Sequence, residues 1–300
     1  MEGPWGMGSK KAVDLVFDKE VWALVGVLDG RNSHLVEQVA AKIDIPFVSA
    51  WASDPTLSKA YVPQFFNCVP NSDQQATVLL NEINRIRTYD RWILVSDESY
   101  DSRIAKEGIK RNEEYAKNPP FKELELSKRD GIENASKDLC DMIGTNEVEA
   151  VVMSCESATN LELIRSLRSA KLELPVYTGS DMLHEKTFSD MASKNLGEVY
   201  FVNVGIPESG TNIRTDFDQE FLSDHGYYPG PMASCAYDAI HVVARAIEQS
   251  DLDAKKLKKS LSNTSYSGKT GVIEFDQFGN RDKLPKITPI NSGNLAASKR

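Results

Sequence analysis

At 300 residues the chain has room for two domains of ordinary size. Its 41 % hydrophobic and 26 % charged residues are those of a globular protein, and no apolar run approaches the roughly 18–20 residues of a membrane span. A net charge of −9 argues against a basic nucleic-acid-binding face.

Taken in chain order, Val21–Val25 is a continuous apolar run, the pattern of a strand buried on both faces. Leu35, Val36, Val39, Ala40 and Ile43 then recur at helical spacing, and Ile45–Val48 is the next apolar run, with Pro46 suited to its first residues. Gln64–Val69 reads as a strand, Asn71-Ser72-Asp73 as a cap and Gln74–Ile86 as a helix. Trp92–Ser96 is another buried-type strand, followed by a helix over about Ser102–Ala116 and an edge-like strand at Lys122–Leu126. The same alternation continues with helix Asn134–Ile143, strand Ala150–Ser154, helix Asn160–Ser169 and strand Pro175–Thr178. Phe188–Ala192 is expected as a short helix, Val199–Val204 as a strand, and Thr215–His225, Tyr237–Ile247 and Ala254–Leu261 as helices. Gly271–Asp276 with Phe278-Gly279-Asn280 reads as a hairpin around a glycine-containing turn. Strand alternating with helix gives an α/β fold with mainly parallel sheets.

Two parallel strands joined by a helix put the turns Asp29–His34 and Ala50–Asp54 at one carboxyl edge, where open α/β sheets bind ligands. Further polar turns follow buried strands at Asp97–Asp101, Cys155–Thr159 and Gly179–Asp181. Backbone N–H groups of Gly30–Ser33 at a helix start favour an anion such as a carboxylate. Ser53 adds a hydroxyl and Ala52 a backbone N–H, Asp181 is a partner for an ammonium, and Tyr100 can pack on a ligand. Each has a structural alternative: Ser33 and Asp181 as helix caps, Tyr100 as surface packing, and His34 as an exposed helix-start side chain.

The chemistry of catalysis is not nominated. There is no GxGxxG after a strand, no GxxxxGK[ST] and no GxSxG. The four histidines show no metal-ligand spacing, and Cys68, Cys140, Cys155 and Cys235 lie far apart without a CxxC. Buried free thiols, no metal, no cofactor and no enzyme activity are the expectations. Met1–Ser9 has neither the basic nor the apolar region of a signal peptide, so one is expected to be absent or already removed.

The stretches VWALVGVLDGRNSHLVEQVAAKIDIPFVSAWASDPTLS, FFNCVPNSDQQATVLL, WILVSDESYDSR, VYTGSDM, AYDAIHVVARAI and SGKTGVIEFDQFGNR together resemble the type I periplasmic binding proteins. Their order along the chain is the family's, and the branch they are most similar to is the leucine/isoleucine/valine-type receptors of ABC importers. The resemblance implies two lobes, each a mainly parallel sheet flanked by helices, closing on a ligand by hinge motion. It implies lobe I over residues 1–70 and 205–284, lobe II over 71–204 and 285–300, and crossings near Pro70, Val204 and Pro285. It also implies that the chain lacks the family's first strand–helix–strand unit. Carried over by position, Ala52 and Ser53 match the residues that hold an α-carboxylate, Tyr100 a loop tyrosine, and Asp181 the acid that takes the α-amino group. Glu156 falls where amino-acid-binding relatives often carry an aromatic contact. Where such relatives carry a serine-rich turn, this chain has Asp29-Gly30-Arg31, which opens the site to another anion, an amide or a polyol. The function implied is capture of a small polar ligand, an amino acid foremost, outside the cytoplasm and its delivery to the membrane permease of an ABC importer. The alternative is the ligand-sensing domain of a receptor or regulator of the same fold.

Overall fold

The computed structural model describes residues 7–127, 131–180, 196–204, 216–226 and 229–290. The chain divides into two compact units, Met1–Asn71 with Met232–Leu284, and Ser72–Pro231 with Pro285–Arg300. The middle boundary therefore falls at Pro231/Met232, later than the 204/205 step expected from sequence, and helix Asp216–His225 groups with the second unit. Among the described residues no helix is long and apolar enough to cross a membrane.

The first unit is built on a small parallel sheet of three three-residue strands in the order β1 (Leu24–Gly26), β2 (Phe47–Ser49) and β3 (Phe65–Asn67). Helix α1 (Met7–Phe17) packs on α2 (Gly30–Ile43), which links β1 to β2, and the short helix α3 (Pro55–Lys59) links β2 to β3. Alternation along the strands feeds two cores. Leu24, Phe47 and Phe65 join Ala12, Val36, Ala40 and Leu57 in one, while Val48, Phe66 and Cys68 join Ala239, Val242 and Ala246 of helix Pro231–Gln249 in the other. β2 and β3 are thus buried on both faces and β1 is partly so, which is why apolar residues dominate all three.

The remainder of this unit is fastened to helix Pro231–Gln249 by charge. Fully buried Asp238 accepts hydrogen bonds from the Lys269 and Thr270 N–H groups (2.9 and 2.7 Å) and the Thr270 hydroxyl (2.6 Å). Arg281, also buried, donates to the carbonyls of Cys68, Thr270 and Val272. Because Asp238 grips Lys269 and Thr270, the two-stranded hairpin forms between Tyr266–Gly268 and Gly271–Ile273, one turn earlier than the sequence suggests. The Phe278-Gly279-Asn280 turn exists as well, closed by a single Phe275–Arg281 bridge. Gly279 has φ +79°, and a Cβ there would sit 2.0 Å from the Phe65 carbonyl oxygen, so only glycine fits.

The second unit carries a six-stranded sheet. Its strands are β4 (Trp92–Asp97), β5 (Lys122–Leu126), β6 (Ala150–Met153), β7 (Val176–Thr178), β8 (Val199–Asn203) and, from the chain's return, Lys286–Pro289. The order is Lys286–Pro289, β8, β7, β6, β4, β5, parallel throughout except for the antiparallel last-in-sequence strand at one edge. Helices α4 (Ser72–Asn81) and α5 (Tyr100–Arg111) pack on each other, as do α7 (Ile132–Thr145) and α8 (Ser157–Ser169). The helix expected over Ser102–Ala116 is broken at Asn112, whose side chain leaves α5 to cap the short α6 (Glu113–Lys117) through the Glu114 N–H at 3.0 Å. The segment Phe188–Ala192 lies outside the described residues.

Candidate functional site

In the first unit the carboxyl edge is formed by the turn into α2 and the turn after β2. Asp29 is the N-cap of α2: its Oδ1 accepts the Asn32 N–H at 2.8 Å and its Oδ2 the Asn32 side-chain amide at 2.7 Å. The Ser33 N–H donates to the Asp29 carbonyl at 3.1 Å. Two of the four N–H groups expected to face an anion are therefore occupied by Asp29 itself, and the cap is Asp29 rather than Ser33. Gly30 is buried and Arg31 exposed at this helix start.

The turn after β2 is drawn in by two side chains. The Ala52 N–H donates to Ser49 Oγ (3.2 Å), and the Asn67 amide donates to the Ala52 carbonyl (2.9 Å). Ala52 is 1 % exposed, and its N–H is engaged within the fold by Ser49. Ser53 follows at the rim, 8 % exposed. Asp54, buried, caps α3 by accepting the Thr56 N–H (2.8 Å) and hydroxyl (2.6 Å).

These two turns are bridged by the His34 side chain. His34 Nε2 lies 3.1 Å from Asp54 Oδ2 and 2.9 Å from Thr56 Oγ1, and its Nδ1 lies 3.5 Å from Glu37 Oε2. Hydrogen bonding to Asp54, then to Glu37, raises the imidazole pKa from 6.5 to about 9, so it is cationic at neutral pH. His34 is therefore a partnered, half-buried bridge and not simply the exposed helix-start side chain expected from sequence. The signal in the sequence was helical spacing: Ser33 and Glu37 fall on the same face as Val36 and Ala40, and the structure buries all four, putting a carboxylate inside.

In the second unit the edge turns converge on Asp97, at the end of β4. Its Oδ1 accepts the Ser99 N–H at 3.0 Å and its Oδ2 the Glu156 N–H at 2.7 Å, which ties the β4–α5 turn to the β6–α8 turn. Ser99 caps α5, placing half-buried Tyr100 as the first helical residue, and Ser102 Oγ accepts the Asp97 N–H at 2.9 Å. Glu156 immediately precedes α8, with its side chain exposed. Beside them Gln75 of α4 accepts the Ser180 N–H at 2.9 Å, and Ser72, Gln75, Ala76, Ile109, Ser154 and Gly179 line a shallow pocket. The structure thus brings Tyr100 and Glu156 to one edge through Asp97, and Asp29, Gly30, Arg31, Ala52 and Ser53 to the edge of the other unit. Asp181 lies outside the described residues.

The four cysteines are free thiols; burial pushes Cys68 up to about 12 and Cys155 well above its ordinary value.

Comparison with known proteins decides the family. The model of the receptor family ligand-binding region matches residues 5–285. The chain belongs to this family. Its fold is that of the type I periplasmic binding proteins. It is similar to the branched-chain amino acid transporter substrate-binding protein LivJ of Streptococcus pneumoniae in complex with isoleucine. There the TM-score is 0.77 at 18 % identity, covering 95 % of this chain and 81 % of that one. It is also similar to a solute-binding protein of an R. palustris ABC transporter in complex with benzoate, with a TM-score of 0.79 at 13 % identity over 95 % of this chain and 79 % of the other. Among curated proteins, Glutamate receptor 3.7 of Arabidopsis thaliana is 31 % identical over 102 residues, 34 % of this chain and 10 % of the receptor. Glutamate receptor 3.4 of the same plant is 22 % identical over 319 residues, 92 % of this chain and 32 % of the receptor. The chain spans a third or less of these curated relatives.

Proposed function

We propose that the chain is an extracytoplasmic ligand-binding module that captures a small carboxylate-bearing solute, with α-amino acids the leading class, and that it is not an enzyme. The observation that carries this reading is the match of the receptor ligand-binding family over residues 5–285. In it the two units serve as the two lobes. Ser53 and the α2 start at Asp29-Gly30-Arg31 face the carboxylate, with Ala52 shaping the turn. Tyr100 and Glu156 contact the remainder of the solute, and Asp181 takes an ammonium by a charge-assisted hydrogen bond.

Delivery to the membrane permease of an ABC importer is one output; the likeness to substrate-binding proteins with isoleucine and benzoate supports it. Sensing is the second, and the 31 % match to a plant glutamate receptor favours it. A thermal-shift screen of amino acids, aromatic acids, amides and sugars tests the shared claim. Carboxylate-bearing solutes should raise the melting temperature by mass action, whereas stabilisation by sugars alone would overturn it. Copurification of a permease with the chain separates delivery from sensing.

A further inference from the structure

The His34 cluster has no part in binding as described so far, yet it joins the two turns proposed to face the solute. We propose that His34 is a positioning residue whose imidazolium clamps the start of α2 to the β2–α3 turn and so sets the geometry in which Ser53 meets a ligand carboxylate; this rests on the reading above.

Three observations carry the clamp. The first is connectivity: His34 reaches Glu37 on its own helix, Asp54 at the cap of α3 and the Thr56 hydroxyl. The second is the chemistry of the ring. A neutral imidazole has one N–H, whereas an imidazolium has donors on both nitrogens, so only the charged form can donate to both carboxylates at once. Asp54 and Glu37 are the ionisable groups that hold this form, and the proton stays to about pH 9. The third is that the cluster has little in reserve. The Asp54 side chain is 0 % and that of Glu37 5 % exposed, and Glu37 Oε1 and Ser33 Oγ are buried without a hydrogen-bond partner. Loss of the proton would leave a single ring N–H to serve both Asp54 and Glu37; Asp54 keeps its Thr56 donors, but the ring could no longer donate to both carboxylates, and the join between the two turns would weaken.

The clamp predicts that binding follows the state of one ring. The test compares the wild type with His34→Gln, which keeps donors on one nitrogen but no charge, and His34→Arg, which restores a two-ended cation. Amide hydrogen exchange across residues 28–36 and 49–58 and calorimetry with L-leucine, L-glutamate and benzoate are measured from neutral pH to above the transition near 9. Protection of these segments, taken relative to the base-catalysed intrinsic exchange rate at each pH, should fall in the wild type, and the affinity of any probe that binds should fall about tenfold beyond the change seen in His34→Gln, as the ring deprotonates. His34→Gln should show both changes already at neutral pH and lose the pH step, and His34→Arg should recover part of the affinity. Unchanged exchange in His34→Gln, or a pH step that persists without His34, overturns the clamp. Failure of all three probes with wild type, while exchange follows His34, would instead count against the carboxylate reading and leave the clamp supported.

Discussion

The two units solve the same problem, holding polar turns at a carboxyl edge, with different materials. The parallel sheet of the first has three strands of three residues each, and around it the apolar cores are supplemented by ionisable anchors: half-buried His34 with buried Asp54 and Glu37, and buried Asp238 and Arg281. The second has six strands, and its edge needs only one carboxylate, Asp97, accepting two backbone N–H groups. A small sheet that depends on charged anchors is sensitive to protonation; a large one that depends on its ladder is not. The contrast teaches where regulation by pH can act in this chain.

The largest effect that would break this contrast is at Asp238. Asp238→Ala strands part-buried donors from Lys269 and Thr270 and leaves buried Arg281 without its nearby negative charge, so it should cost about 3–5 kcal/mol in denaturant unfolding. A cost under about 1 kcal/mol would mean that charge does not anchor the first unit. Next is Asp97→Ala, expected to cost about 2–3 kcal/mol through the Ser99 and Glu156 N–H groups. Hydrogen exchange should localise its effect to the second unit's turns, and a spread into β1–β3 would blur the distinction drawn here.

A smaller effect is the pH linkage of His34. Its folded pKa lies above the unfolded value, so its contribution is complete below about 6.5 and is lost as pH rises through about 9. Allowing for the ring's partial exposure, about 1–2 kcal/mol should disappear across that window, and His34→Gln should flatten the curve. Smallest is Lys106→Ala, which removes a surface ion pair with Glu125 at 2.7 Å and should shift stability by no more than about 0.5 kcal/mol.

Much of the fold was legible because buried strands write themselves as apolar runs: Trp92–Asp97 and Ala150–Met153 differ from expectation by one residue each, and Lys122–Leu126 not at all. What was not legible depended on tertiary partners. The hairpin register is chosen by Asp238, which is 31 residues before Lys269 in sequence. The break at Asn112 reflects a side chain that caps either helix, and the local pattern does not say which. The same holds at the site. Ser53, Tyr100 and Glu156 could be put at strand ends from their spacing alone, but the engagement of the Ala52 N–H by Ser49 and of Asp29 by Asn32 required the folded turns. His34 and Asp54 are 20 residues apart, and nothing local pairs them.

The central claim is that this edge binds a carboxylate. Calorimetry of the 300-residue chain with L-leucine, L-isoleucine, L-glutamate and benzoate, each beside its methyl ester, tests it most directly. At least one free acid should bind while its ester does not; an ester that binds as tightly as its acid, or eight flat titrations, would contradict it.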